Sequence, residues 1–141
     1  MENILELKTI SELNQYSFYI PSYQRGYKWT SKEVNDILND INDFKPRQID
    51  NSDAKTWYCL QPIVVKTFNN DESKFEVIDG QQRLTTIYLI LYYLNQDYVK
   101  KRQDKLFSLD YQTRLNTSTF LDSLNEETID ESNVDCRYPI C

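Results

Sequence analysis

The sequence predicts a small α/β (α+β) domain in which a short mixed sheet accompanies a central helix. Three observations predict it. A capping box opens an amphipathic segment near residue 30. Two β-prone runs separated by an Asn-rich turn read as a hairpin. At Asp79-Gly80 the apolar period then changes from 2 to 3.6, so a strand runs into a helix through one tight turn.

The elements follow in order. Leu5–Leu13 starts with alternation and then becomes ambiguous. Ser17–Ile20 is β-prone, and Pro21 ends it, because the residue before a proline favours extended geometry. Ser22–Trp29 is a polar, aromatic loop. Thr30 and Glu33 form the capping box. Behind them Val34, Ile37, Leu38, Ile41 and Phe44 share one helical face, so a helix spans Ser31–Phe44 and Pro46 ends it. Lys45–Lys55 is polar and reads as a loop. Trp57–Thr67 reads as a strand whose Pro62 places it at an edge or a bulge. Asn69–Ser73 is the turn, and Lys74–Ile78 is the returning strand. From Gln81 the residues Leu84, Ile87, Tyr88, Leu91 and Leu94 repeat at helical spacing to about Gln96. Leu89 and Ile90 add apolar character on other sides, which places this helix centrally. Leu106–Tyr111 alternates as a strand or extended arm. Thr117–Leu124 reads as a short helix. Asn125–Asp135 is acidic and nearly devoid of apolar residues, the composition of a mobile tail. The chain stops at Tyr138-Pro-Ile-Cys141 without an ending signal, so a longer parent protein is expected.

Composition narrows the function. The 141 residues carry 16 Lys+Arg against 22 Asp+Glu, a net charge of −6 with no basic block. A dedicated duplex-DNA or RNA binder needs a positive footprint, so nucleic acid is not expected on this piece itself. Histidine is absent. That removes Ser-His-Asp and Cys-His catalysis, HEXXH zinc sites and histidine-based nuclease folds. Three cysteines without a CxxC make neither a disulfide framework nor a four-cysteine zinc site, and reduced thiols fit a cytoplasmic protein. The longest apolar run, Ile87–Leu94, is too short for a membrane span, and the N-terminal segment lacks the pattern of a signal peptide.

Chemistry concentrates in two segments. The first is Asp79-Gly80-Gln81-Gln82-Arg83 between strand and helix. A helix N-terminus presents unpaired N–H groups and partial positive charge, an anion site by construction. Gly80 allows the tight turn, Arg83 can fork onto phosphate oxygens, and Gln81 and Gln82 offer amides. Asp79 has two readings: ligand of a cation that bridges phosphates, or N-cap accepting from the Gln82 N–H. Ordinary turn-and-cap chemistry, with Arg83 in a surface ion pair, accounts for the same residues. The second segment is Ile20-Pro-Ser-Tyr-Gln-Arg-Gly-Tyr-Lys-Trp29. It suits stacking of a base and clamping of its phosphates, or plain packing of an aromatic loop with Arg25 stacked on Tyr23 or Trp29. Arg114, in Asp110-Tyr-Gln-Thr-Arg114, is a third cation on an extended arm, or a solvated charge.

Taken together, these segments resemble the N-terminal domain of GmrSD-type, modification-dependent restriction endonucleases and related phage-defence proteins. That domain is related to the ParB and sulfiredoxin fold. Its IPxYQRxYxW, IVL-strand and VIDGQQRLTT motifs correspond to Ile20–Trp29, Tyr58–Val65 and Val77–Thr86, followed by Tyr111–Arg114 and Phe120-Leu121. The resemblance covers about residues 4–124 and implies a ParB-like nucleotide-binding domain over 1–124, with 125–141 as the tail of a longer protein. It implies binding and hydrolysis of a nucleoside triphosphate, of unspecified base, with Mg2+, in control of a nuclease domain fused further along. By motif, Asp79, Gln81, Gln82 and Arg83 would carry hydrolysis. Tyr23, Gln24, Arg25, Gly80, Arg83 and Arg114 would bind nucleotide, and Asp79 would hold the metal. Arg25 and Arg83 would then border one cavity with Gln81 or Gln82. DNA would be reached only through the nuclease part; no membrane partner is implied, and self-assembly stays open. One departure stands out: Gln61-Pro62 replaces the family's usual Gly-Ser, which would narrow the pocket or shift the strand. A non-catalytic DNA- or protein-interaction module is the alternative. A ParB-like nuclease would need an acidic cluster, and only Asp79 sits suitably.

Overall fold

Strand β1, Ser17–Ile20, alternates half-buried and buried residues, with Phe18 and Ile20 facing inward. This computed structural model describes residues 4–50, 52–98 and 105–112. The described chain forms two compact units: the segments up to Tyr27 and from Ile63 make the first, and Lys28–Pro62 makes the second.

In the first unit, β2 (Val64–Phe68) and β3 (Asp71–Asp79) pair antiparallel as the expected hairpin. Asn69 and Asn70 both take positive φ, 54° and 58°. Two consecutive left-handed residues are what a tight hairpin turn of this twist requires, and asparagine tolerates them. The loop is therefore two residues long, shorter than the Asn69–Ser73 turn the composition suggests. The strand is also shorter than Trp57–Thr67: it starts at Val64, beyond Pro62, which has no N–H to give to a ladder. β1 runs parallel to β3 on one side and to β4 (Ser108–Tyr111) on the other, giving the order β2-β3-β1-β4. The mixed sheet is as the sequence predicts.

The helix after Gly80, here α2, spans Gln81–Tyr98. Phe18, Ile20, Val77, Leu109 and Tyr111 of the sheet are buried, as are Leu84, Ile87 and Tyr88 of the helix. Each such side chain contributes about 1.5–3 kcal/mol when fully withdrawn from water. Phe107 joins the two layers, edge-on to Phe18 and to Tyr88 with ring centroids 5.5 Å apart in both pairs. The Thr85 hydroxyl donates to the Gln81 carbonyl at 2.8 Å, so the Tyr111 hydroxyl donates to Thr85 at 2.6 Å and ties helix to sheet. Only the first two turns are central, however. Tyr93 and Leu94 are exposed, so the C-terminal part of α2 leaves the core. No helix among the described residues is long and apolar enough to cross a membrane.

The early ambiguous segment forms a short 3-10 helix, Ile10–Gln15, opened by a Thr9–Glu12 capping box. The second unit holds helix α1, Ser31–Asp43. Its capping box is the predicted one: the Thr30 N–H and hydroxyl both donate to Glu33 Oε2, at 2.7 and 2.6 Å. Of the expected apolar face only Ile37 is buried, while Leu38 and Ile41 are exposed. Phe44 packs against Tyr58, whose hydroxyl donates to Asp40 at 3.2 Å. The expected 45–55 loop contains one antiparallel bridge, Gln48 to Lys55. Arg114, the 117–124 helix and the 125–135 tail lie outside the described residues.

Candidate functional site

β3 ends at Asp79, and α2 begins at Gln81. The single residue between them, Gly80, has φ +92°. That region is strongly disfavoured for a residue with a Cβ. A Cβ on Gly80 would also stand 3.1 Å from Ile63 Cγ1 and 3.2 Å from Ile63 Cα. Both facts select glycine. The Gly80 carbonyl accepts from the Leu84 N–H at 2.9 Å, the first bond of the helix. Gly80 is therefore the N-cap. This corrects the alternative in which Asp79 caps the helix: Asp79 is the last residue of β3, exposed, and one position too early.

The loop after β1 is held by four glutamine side chains, three of which join it to this turn. The Gln24 amide donates to the Ile78 carbonyl at 2.6 Å. The Gln81 amide donates to the Arg25 carbonyl at 2.6 Å, and the Gln82 amide donates to the Gly26 carbonyl at 2.8 Å. From the end of β4, Gln112 Oε1 accepts from the Ser22 N–H at 2.8 Å. The last bond is supported by a backbone bond from the Gln112 N–H to the Ile20 carbonyl at 2.9 Å. Two regions far from it in sequence, the Ile78–Gln82 turn and Gln112, thus fix residues Ser22–Gly26. Beyond Gly26 the loop is anchored by Tyr27, which is buried. Its hydroxyl sits 2.9 Å from Thr86 Oγ1, and the Thr86 hydroxyl donates to the Gln82 carbonyl, which leaves Tyr27 as donor.

The predicted residues distribute as follows. The side chains of Gln24, Gln81 and Gln82 join the Gln24–Gly26 backbone to the start of α2, where Gly80 and Arg83 lie in the same turn. Arg25 is exposed in the loop, and Arg83 is half-buried in the first helical turn. Tyr23 is exposed, and its hydroxyl donates to Glu76 Oε1 at 3.1 Å, on the carboxylate that also pairs with Lys66 at 3.1 Å. Desolvation first, then the neighbouring Glu76, pushes the Tyr23 phenol above its ordinary pKa, so it stays neutral at physiological pH. Glu76 is on β3 beside Tyr19 of β1, so Tyr23 lies along the sheet.

Three participants escaped sequence reasoning. Ile63 backs Gly80, Thr86 seats Tyr27, and Gln112 holds Ser22. Gln112 carried a signal, since it sits inside the Asp110–Arg114 segment already singled out for its arginine.

A helix N-terminus with two arginines nearby can accept a polyanion. Among the described residues no three of His, Cys, Asp and Glu gather where they would cage a metal ion. The donor set does fit a magnesium ion carried by phosphates, which takes one or two protein carboxylates and completes its shell with phosphate oxygens and water. Asp79, exposed at the end of β3 beside the turn, would be the carboxylate to hold such an ion.

Among known proteins, one family model matches almost the whole chain, residues 2–138, and is described as the N-terminal domain of the GmrSD restriction endonuclease. No curated protein and no solved structure matches the chain.

Proposed function

We propose, from the premise that this chain belongs to the GmrSD restriction endonuclease N-terminal domain family and so to a restriction and phage-defence protein, that it binds and hydrolyses a nucleoside triphosphate and thereby controls a nuclease domain of the parent protein. One observation carries the reading: the Ser22–Gly26 loop is held to the N-terminal turn of an 18-residue helix behind a positive-φ glycine. That arrangement is the kind that cradles phosphate groups.

In this reading the N–H groups of the first turn of α2 and the guanidinium groups of Arg83 and Arg25 receive the phosphate oxygens. Charge spreads over those oxygens in the loose transition state of phosphoryl transfer, so fixed donors there lower the barrier. Asp79 would hold a magnesium ion, which would supply neutralisation of the phosphate charge. The chain has no histidine, so proton transfer to or from an imidazole plays no part in this domain.

The test is phosphate release from ATP, GTP, CTP and UTP with Mg2+, alongside calorimetric binding of each. Release of phosphate from at least one of them, lost on chelation of the metal, is expected. Binding of none of the four would refute the reading.

A further inference from the structure

We propose that Gln81 and Gln82 are positioning residues rather than groups that touch the reacting atoms: their amides hold the Arg25-Gly26 backbone to the first turn of α2, so that loop and helix meet a triphosphate as one preformed surface. The proposal rests on the triphosphate reading above.

The geometry of Gln81 is the first argument. It is 6% exposed, and its Nε2 is committed to the Arg25 carbonyl at 2.6 Å. Its Oε1 is buried and has no hydrogen-bond partner, alone among the buried side-chain N and O atoms of the described residues. A glutamine kept for stability would satisfy both ends of its amide, because an unpaired buried acceptor is costly. Here the amide is oriented by its donor. What the position requires is an N–H aimed at that carbonyl, at the expense of the acceptor.

The second argument is the repetition. Gln82 makes the same kind of bond to the next carbonyl, that of Gly26, at 2.8 Å. Gln24 makes it in the opposite direction, from the loop to the Ile78 carbonyl at 2.6 Å. Gln112 closes the far side at Ser22. Three amides on three backbone carbonyls tie loop to turn, and a fourth fixes the start of the loop at Ser22; together they define a harness. A residue that orients the attacking water through its amide N–H needs that group in the ligand space. Gln81 and Gln82 spend their donors on the loop instead. Preforming a binding loop raises affinity by removing the cost of ordering it.

The experiment uses Gln81→Met and Gln82→Met, which keep side-chain length and remove the donor without adding charge beside a polyanion. Gln82 is half-buried, so its variant guards against a folding failure of the first. Gln81→Met also removes the unpaired acceptor, so melting temperatures near wild type are expected. Trypsin cleavage after exposed Arg25, followed by mass spectrometry of the 1–25 fragment, reads the harness directly, because the scissile carbonyl is the one Gln81 holds. Cleavage accelerated by about 3- to 10-fold is expected from the loss of one hydrogen bond. With the best of the four triphosphates and Mg2+, KM rises about tenfold while kcat at saturation stays within about threefold. Unchanged cleavage overturns the proposal. So does accelerated cleavage with kcat lost and KM kept, which would make the glutamines catalytic. If wild-type chain binds none of the four triphosphates, the underlying reading fails and the ligand half of the proposal falls with it. The cleavage result then still decides whether the harness exists.

Discussion

Gly80→Ala concentrates the structural argument in one methyl group. The backbone at Gly80 has φ +92°, well inside the region that favours glycine. Forcing an L-residue into such a conformation costs about 1–3 kcal/mol. The new Cβ would also meet Ile63, with Cγ1 at 3.1 Å and Cα at 3.2 Å. Ordinary carbon contacts begin near 3.5 Å. The Ile63 side chain can rotate away from one of these contacts, but the Cα can move only with its backbone. Overpacking of this kind costs about 1–3 kcal/mol. The two terms together predict a loss of about 2–6 kcal/mol, which for a chain of this size lowers the melting temperature by about 8–24 °C. Circular dichroism melts and urea titration measure it. Gly80→Asn separates the terms, since asparagine tolerates positive φ better but carries the same Cβ against Ile63. Asparagine should therefore recover part of the loss and not all of it. Gly80→Ala melting at or above wild type would refute the reasoning, because relief of chain entropy alone would stabilise by about 0.4–1 kcal/mol.

Three further outcomes are expected. Arg83→Ala should weaken triphosphate binding about 10- to 100-fold in calorimetry, the worth of one charged hydrogen bond, with stability lowered by about 1 kcal/mol at most, since the side chain is half-buried; Lys28→Ala is the control and should bind as wild type. Asp79→Ala should abolish the dependence of turnover on Mg2+ together with turnover itself, while melting close to wild type because Gly80, not Asp79, caps the helix. The Glu33 carboxyl is held below its ordinary pKa, first by the Thr30 hydroxyl and then by backbone N–H groups; Asp71 is lowered likewise by Ser73, and Glu12 first by the Thr9 N–H and then by its hydroxyl. A depressed carboxylate stabilises the folded state above its unfolded value and stops doing so as pH falls through its folded value. Melting temperature should therefore drop below about pH 4, and Glu33→Gln should flatten part of that slope in melts taken from pH 7 to pH 3.

The sequence was legible where local rules act alone. The Thr30–Glu33 box, the stop at Pro21, the hairpin and the start of α2 at Gln81 all follow from caps, turns and periodicity within a few residues. Tertiary effects account for the misreadings. Trp57–Ile63 has the composition of a strand, but β2 forms only beyond Pro62. Leu38 and Ile41 have the spacing of a buried face and yet stay exposed. Periodicity shows which residues share a face and says nothing of whether anything covers it. In α2, apolar residues on several sides predict a central helix, whereas burial is confined to its first half and Tyr93 and Leu94 are exposed.

The site was half legible for a related reason. Asp79 to Arg83 could be assigned to a helix N-terminus from the sequence, because strand, glycine and helix are contiguous. What the glutamines do there could not. A glutamine beside a phosphate-type turn reads as a ligand group when only its sequence neighbours are known. The partners of Gln81 and Gln82 are 56 positions away, at the carbonyls of Arg25 and Gly26. Those carbonyls are backbone, so nothing in the residue types at 25 and 26 marks them as acceptors. The backbone partners of Gln24 and Gln112 are equally distant in sequence, at Ile78 and Ser22. The motifs are joined to each other through these amides. It follows that an arginine in either loop can be judged as a phosphate ligand only together with the glutamine that sets its backbone, and that single substitutions of Arg25 and Gln81 should couple in binding, although neither residue's type announces the other.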